Sequence, residues 1–200
     1  MNSKIILHLC ADMGTDSQPY ADAGYDVRLI GKDIGVENYH PPPNVYGIIA
    51  NPVCTMLSWC RTNAKVPRDL EQGMFLVRHC LRIIWECQYR LPNPNSKLTT
   101  LKFWAIENPA KGFLYQFLGR PVATYQPYEY GDDYRKQTAL WGNFNIPPKL
   151  PPLLQKCSKP KFDKLLTKEI HYEGNEHLTR KERRSICSPA FAQAFFKSNR

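Results

Sequence analysis

KIILHLCADMGTDSQPYADAGYDVRLIGKD, residues 4–33, runs through strand, loop, helix and strand before it reaches an acidic residue. Lys4 to Leu9 is a short apolar run, and Ala11 to Asp16 is rich in turn-formers around Gly14. Tyr20 to Gly24 reads as a short helix stopped by its glycine. Tyr25 to Ile30 restarts as a strand and delivers Lys32 and Asp33. This is the opening of a nucleotide-binding α/β unit, with Asp33 close to the ~20-residue spacing at which an acid meets ribose hydroxyls. Many α/β domains share the opening, so the remaining chain must supply the chemistry.

Outward from this unit the elements continue in kind. Tyr46 to Ala50 is a buried-type strand running into Asn51-Pro52-Val53-Cys54. From Pro67 to Arg90, Leu70, Met74, Val77, Leu81 and Ile84 recur at steps of three and four, which predicts a helix with Pro67 in its first turn. Leu91 to Asn95 ends it. Leu101 to Ile106 is a further strand that presents Glu107-Asn108-Pro109 just past its end. Val122–Gln126 and Thr138–Trp141 read as a closing hairpin pair, and Pro189–Lys197 as a last helix. The expected architecture is α/β: a Rossmann-like, mostly parallel sheet with helices on both faces.

Composition sets outer bounds. The chain has 200 residues, 42% apolar and 22% charged, an ordinary globular mixture and enough for one real core. Disordered, collagen-like and disulfide-miniprotein classes are excluded. No apolar run has the roughly 18 residues of a membrane span, and the start lacks a signal-like apolar region. The reading is a soluble, cytoplasmic protein. Seven cysteines with no C-x-x-C spacing predict thiols, mostly buried, and no metal site. His8, His79 and His171 have no spacing partners and read as core or surface. Trp59, Trp85, Trp104 and Trp141 read as packing in the sheet core or at its edge, with stacking on a flipped base a minor option for Trp59.

Charge is the strongest compositional signal. Lysine and arginine number 27 against 18 acids, a net charge of +9. Residues 155–200 alone carry 11 basic and 5 acidic residues. A polyanion, nucleic acid above all, is the natural partner. Arg61, Lys65 and Arg68, on the loop after Cys54, suit phosphate contacts. Functional residues of such sheets gather beyond the carboxyl ends of strands, which singles out the Asp12–Asp16 loop, Cys54 and Glu107. A thiol beside a carboxyl can serve as nucleophile and general acid.

The string Asn51-Pro52-Val53-Cys54-Thr55-Met56-Leu57-Ser58 resembles the Pro-Pro-Cys-x-x-x-Ser loop of DNA cytosine-C5 methyltransferases. Glu107-Asn108-Pro109 is similar to that family's Glu-Asn tripeptide in its small phage-type members, and Leu9 to Gly14 with Asp22 to Val27 to its cofactor loop. Tyr134 to Gly142 resembles the late basic motif, and Ser188 to Phe196 the closing segment. Five motifs in the family's order cover nearly the whole chain. The resemblance implies an S-adenosylmethionine-dependent enzyme in which Cys54 adds to C6 of cytosine, Glu107 binds N3 and Arg135 holds the base oxygen or a phosphate. Leu9, Asp12, Gly14, Asp33, Asn51 and Pro52 would hold the cofactor. Arg61, Lys65, Arg68 and Lys136 would hold DNA, as a duplex with the target flipped out or as a single strand.

Two positions depart from the family pattern: Asp12 stands for a glycine and Val53 for the second proline. Only residues 136–200 follow Arg135, too few for a full target-recognition domain. The expected division is a catalytic domain over 1–146 and a basic, proline-rich extension over 147–200 ending in a helix packed on it. Little sequence specificity is expected, unless a protein partner supplies it. Two other functions fit these departures: a binding module on a degenerate methyltransferase scaffold, and a C5 methyltransferase of free pyrimidine nucleotides.

Overall fold

The computed structural model describes residues 4–11, 13–61, 64–89, 100–158, 182 and 185–200. Six strands form one sheet: β1 (Ile5–Leu9), β2 (Asp26–Ile30), β3 (Val45–Ala50), β4 (Phe103–Pro109), β5 (Ala123–Tyr125) and β6 (Thr138–Asn143). Their order is β2-β1-β3-β4-β6-β5. The first four are parallel, while β6 lies antiparallel between β4 and β5. The sheet is thus mixed, and the closing hairpin pair supplies its antiparallel part.

Both faces of the sheet are covered, which is why its strands read as nearly continuous apolar runs. On one face Leu7, Ile48, Ile106 and Trp141 pack against Val77, Cys80, Ile83 and Ile84 of α2 (Leu70–Tyr89). On the other, Ile6, Ile49, Phe103 and Leu140 meet Tyr20 of α1 (Gln18–Asp22) and the C-terminal helix. In chain order α3 (Leu114–Leu118) follows β4 and buries Leu114 in the core on the α2 side, and the C-terminal helix is α4 (Pro189–Ser198). Phe191 and Phe195 of α4 are 5% and 4% exposed, and burying each stabilises the fold by about 1.5–3 kcal/mol. Ser188 caps α4 by accepting the Phe191 N–H at 3.2 Å, and Pro189 fits its first turn.

The structure differs from the sequence reading at particular places. Helix α2 begins at Leu70, not Pro67, because the Asp69 carboxylate accepts the Gln72 N–H at 2.9 Å and caps the helix there. Strand β4 runs through Pro109, so Glu107 lies within the strand, paired with Leu140 of β6. Trp59 and Trp85 are exposed, not packed in the sheet. Leu91–Asn95, Asp12 and His171 fall outside the described residues, as does most of 159–184. Among the described residues, no helix is long and apolar enough to cross a membrane.

Candidate active site

Strand β1 lies between β2 and β3, so the chain leaves β1 in one direction and returns past it in the other. It is at such a reversal, beyond the carboxyl ends of the strands, that α/β sheets take their ligands, and here the loops after β1 and β3 flank it. The β1 loop carries Gly14 at φ +69°, a left-handed conformation that glycine adopts without strain. The β3 loop carries Cys54, whose carbonyl accepts the Leu57 and Ser58 N–H groups at 3.0 and 2.8 Å, a tight turn just behind the thiol. Cys54 is half-buried, and all seven cysteines are thiols.

Register brings the thiol loop to the carboxyl. Ala50 at the end of β3 faces Ile106 of β4. One residue on in each strand, the Asn51 side chain bonds the Glu107 carboxyl. Asn108 Nδ2 donates to the Pro52 carbonyl at 3.0 Å, tying β4 to the residue two before Cys54. Burial pushes the Glu107 carboxyl above its ordinary 4.5 and Asp16 adds to the rise; Lys136 and the Asn51 bond oppose it. The site therefore holds the Glu107 proton more tightly than water does.

Behind Glu107 stands a buried polar chain. His8 Nε2 donates to Asn51 Oδ1 at 2.9 Å, and its Nδ1 lies 2.8 Å from Ser17 Oγ. With Oδ1 so occupied, the amide N–H of Asn51 is the group aimed at Glu107. Burial lowers the His8 pKa below 6.5, against the pull of Asp16, whose carboxylate is 3.9 Å from Nε2. Asp16, Glu107, Leu140, Cys187 and Phe191 line a small, part-open cavity of about 20 Å³. Burial and the nearby Asp16 hold the Cys187 thiol well above its ordinary 9.0, so it is protonated.

Most of the predicted residues converge, and some take other posts. Asn51 bonds Glu107, Pro52 is tied to Asn108, and Gly14 joins the same network through Ser17 and His8, while Cys54 lies two residues past Pro52. Asp33 is exposed three residues past the end of β2. Leu9 is fully buried in the core, with its carbonyl taken by the Asn51 N–H at 3.0 Å, so its side chain faces away from any cofactor. Arg135 is exposed, whereas Lys136 turns inward, donates to the Ile186 carbonyl at 3.0 Å and acts electrostatically on Glu107. Arg68 also turns inward: it bonds the Met56 carbonyl and lies 4.8 Å above the Phe113 ring, bracing the Cys54 loop. Arg61 is half-buried and Lys65 exposed.

Sequence reasoning reads His8 only as a core or surface residue, which it is, being 2% exposed, names Asp16 only as the end of its loop, and gives Cys187 no role. The alternation of β1 held a signal for the first: His8 shares a face with Ile6, where an imidazole needs a buried partner. No protein-family model matches the chain, and no curated protein matches it at a significant level.

Proposed function

We propose that the protein is an S-adenosylmethionine-dependent methyltransferase acting on C5 of cytosine in DNA, with little sequence preference. One observation carries this reading. Cys54, on the loop after β3, and a carboxyl of raised pKa on the adjoining strand are linked through Asn108, which bonds the Pro52 carbonyl, and Asn51, which bonds Glu107. Cytosine C5 is a weak nucleophile until a thiolate adds to C6 and the ring is protonated at N3. Cys54 supplies the sulfur for that addition, and Glu107 the proton. Solvent water then takes the C5 proton, the Cys54 thiolate leaves C6, and N3 returns its proton to Glu107, which restores the ring. Lys136 supplies positive charge beside Glu107.

The residues at the site fit the cofactor. Asp33 offers ribose hydroxyls a carboxylate, and neighbouring Ile34, 56% exposed, offers a purine an apolar face. Gly14 brings bare backbone to the methionine end. When bound, S-adenosylmethionine supplies an electrophilic methyl group. Net charge of +9 favours a polyanionic substrate over a free nucleotide.

Incubation with 5-fluorocytosine DNA and S-adenosylmethionine tests the reading. A covalent adduct that survives denaturation, and that Cys54→Ala abolishes, is the expected result. Absence of an adduct under saturating cofactor would favour a binding module on the same scaffold.

A further inference from the structure

The loop that leaves the site after Cys54 is basic, aromatic and free of acids. Residues 54–68 and 109–120 contain Arg61, Lys65, Arg68, Lys111 and Arg120, with no aspartate or glutamate. Backbone bonds join the two segments. Ser58 and Gly112 form an isolated β-bridge, the Trp59 N–H donates to the Lys111 carbonyl at 3.1 Å, and the Phe113 N–H to the Leu57 carbonyl at 2.8 Å.

This stitching brings Trp59 to Phe113 and Tyr115, with ring centroids 6.1 and 6.4 Å away and planes at 70° and 77°. Arg68 occupies Phe113. Trp59 and Tyr115 remain 49% and 44% exposed. Two exposed rings set nearly at right angles make an open corner: a flat ring stacked on one meets the edge of the other. Lys111, whose carbonyl accepts the Trp59 N–H, is exposed.

An exposed aromatic corner on two segments whose charged residues are all basic fits a planar group on an anionic chain. Bases in a duplex are stacked on each other and present edges and phosphates. Bases of a single strand present faces, and stacking on aromatic side chains with cations along the backbone is how proteins hold them. We infer that the Trp59–Tyr115 corner, with Lys111, binds an unstacked base flanking the target cytosine, so that single-stranded DNA is the form this protein engages. The identity of the target as cytosine rests on the function proposed above; the stacking contact does not.

Binding of a labelled single-stranded oligonucleotide, measured by anisotropy without cofactor, tests it. A hairpin duplex of the same sequence and single strands with an abasic residue beside the cytosine complete the set. Single strand should bind more tightly than duplex. Trp59→Ala should weaken single-strand binding by about 5-fold or more, with Trp59→Phe retaining most of it. Lys111→Ala should flatten the salt dependence. Abasic substitution should cost affinity in the wild type and nothing further in Trp59→Ala. Equal affinity for duplex, an unaffected Trp59→Ala, or an abasic penalty that persists in that variant overturns the proposal. Trapping on 5-fluorocytosine is a separate readout. An adduct with binding indifferent to Trp59 removes the corner and keeps the chemistry; no adduct with Trp59-dependent binding does the reverse.

Discussion

Asn108 Nδ2 donates to the Pro52 carbonyl at 3.0 Å from a side chain that is 1% exposed, while its Oδ1 is buried with no hydrogen-bond partner. The fold keeps this half-satisfied amide where an apolar residue would avoid the cost of the orphan oxygen. Its position explains why: it fixes the Cys54 loop against the strand that carries Glu107. Asn108→Ala should lower stability by about 1–3 kcal/mol, by leaving the Pro52 carbonyl unpaired. Asn108→Asp should cost more, since it sets an acceptor against that carbonyl and a charge beside Glu107. Chemical denaturation gives the stabilities. The rate of 5-fluorocytosine trapping should fall in both variants while native circular dichroism is retained in Asn108→Ala.

Glu107 carries the second prediction. Its pKa in the fold is raised above 4.5, chiefly by burial. The native state then holds the proton more tightly than the unfolded chain. The stability linked to that proton is fully present below pH 4.5 and is lost as pH rises through the folded value. Glu107→Gln, which cannot ionise, should therefore be more stable than wild type at pH 8, with the gap closing towards pH 4. Its trapping rate should fall by about 100-fold or more if the carboxyl is the proton donor. Equal pH profiles of stability for the two proteins would contradict a raised Glu107 pKa.

How far the sequence reached depends on the range of the interaction involved. The strands β1 to β4 and the long helix α2 follow from local apolar patterning, so their reading needed no partner. Glu107 was placed past its strand because the extension of β4 depends on β6, more than thirty residues later in the chain. Arg135 and Lys136 show the same limit in one step. Exposure alternates from buried Tyr134 through exposed Arg135 and half-buried Lys136 to exposed Gln137 and buried Thr138. A shift of one residue in that alternation decides which cation faces the site, and composition carries no register. Helix α3, five residues long and ended by Gly119, is too short for a periodic pattern to mark it.

His8 has the opposite titration from Glu107. Burial lowers its pKa below 6.5, with Asp16 and the Asn51 bond pulling the other way. Its contribution to stability is present above pH 6.5 and is lost as pH falls through the folded value. Protonation would also give Nδ1 a hydrogen, so that Ser17, 2.8 Å away, must turn its hydroxyl to the Gly14 carbonyl at 3.1 Å. Acidification from pH 7.5 to 5 should thus destabilise the wild type more than His8→Gln, measured by urea denaturation at each pH. At pH 7.5 the variant should be the less stable, since it leaves Ser17 or Asn51 without its partner.

Gly14 allows the two demands on the β1 loop to be separated. At φ +69° an added methyl group strains the backbone, and a Cβ there would stand 3.0 Å from Leu29 Cδ1. Leu29 is 42% exposed and its end can move aside, so the backbone strain dominates. Gly14→Ala should cost about 1–2 kcal/mol of stability. Gly14→Asn, whose side chain tolerates the left-handed region, should recover part of that cost. Cofactor binding by calorimetry distinguishes strain from access. If Gly14 serves only the turn, Asn restores affinity along with stability; if bare backbone must approach the methionine end, both variants bind S-adenosylmethionine weakly and only stability recovers.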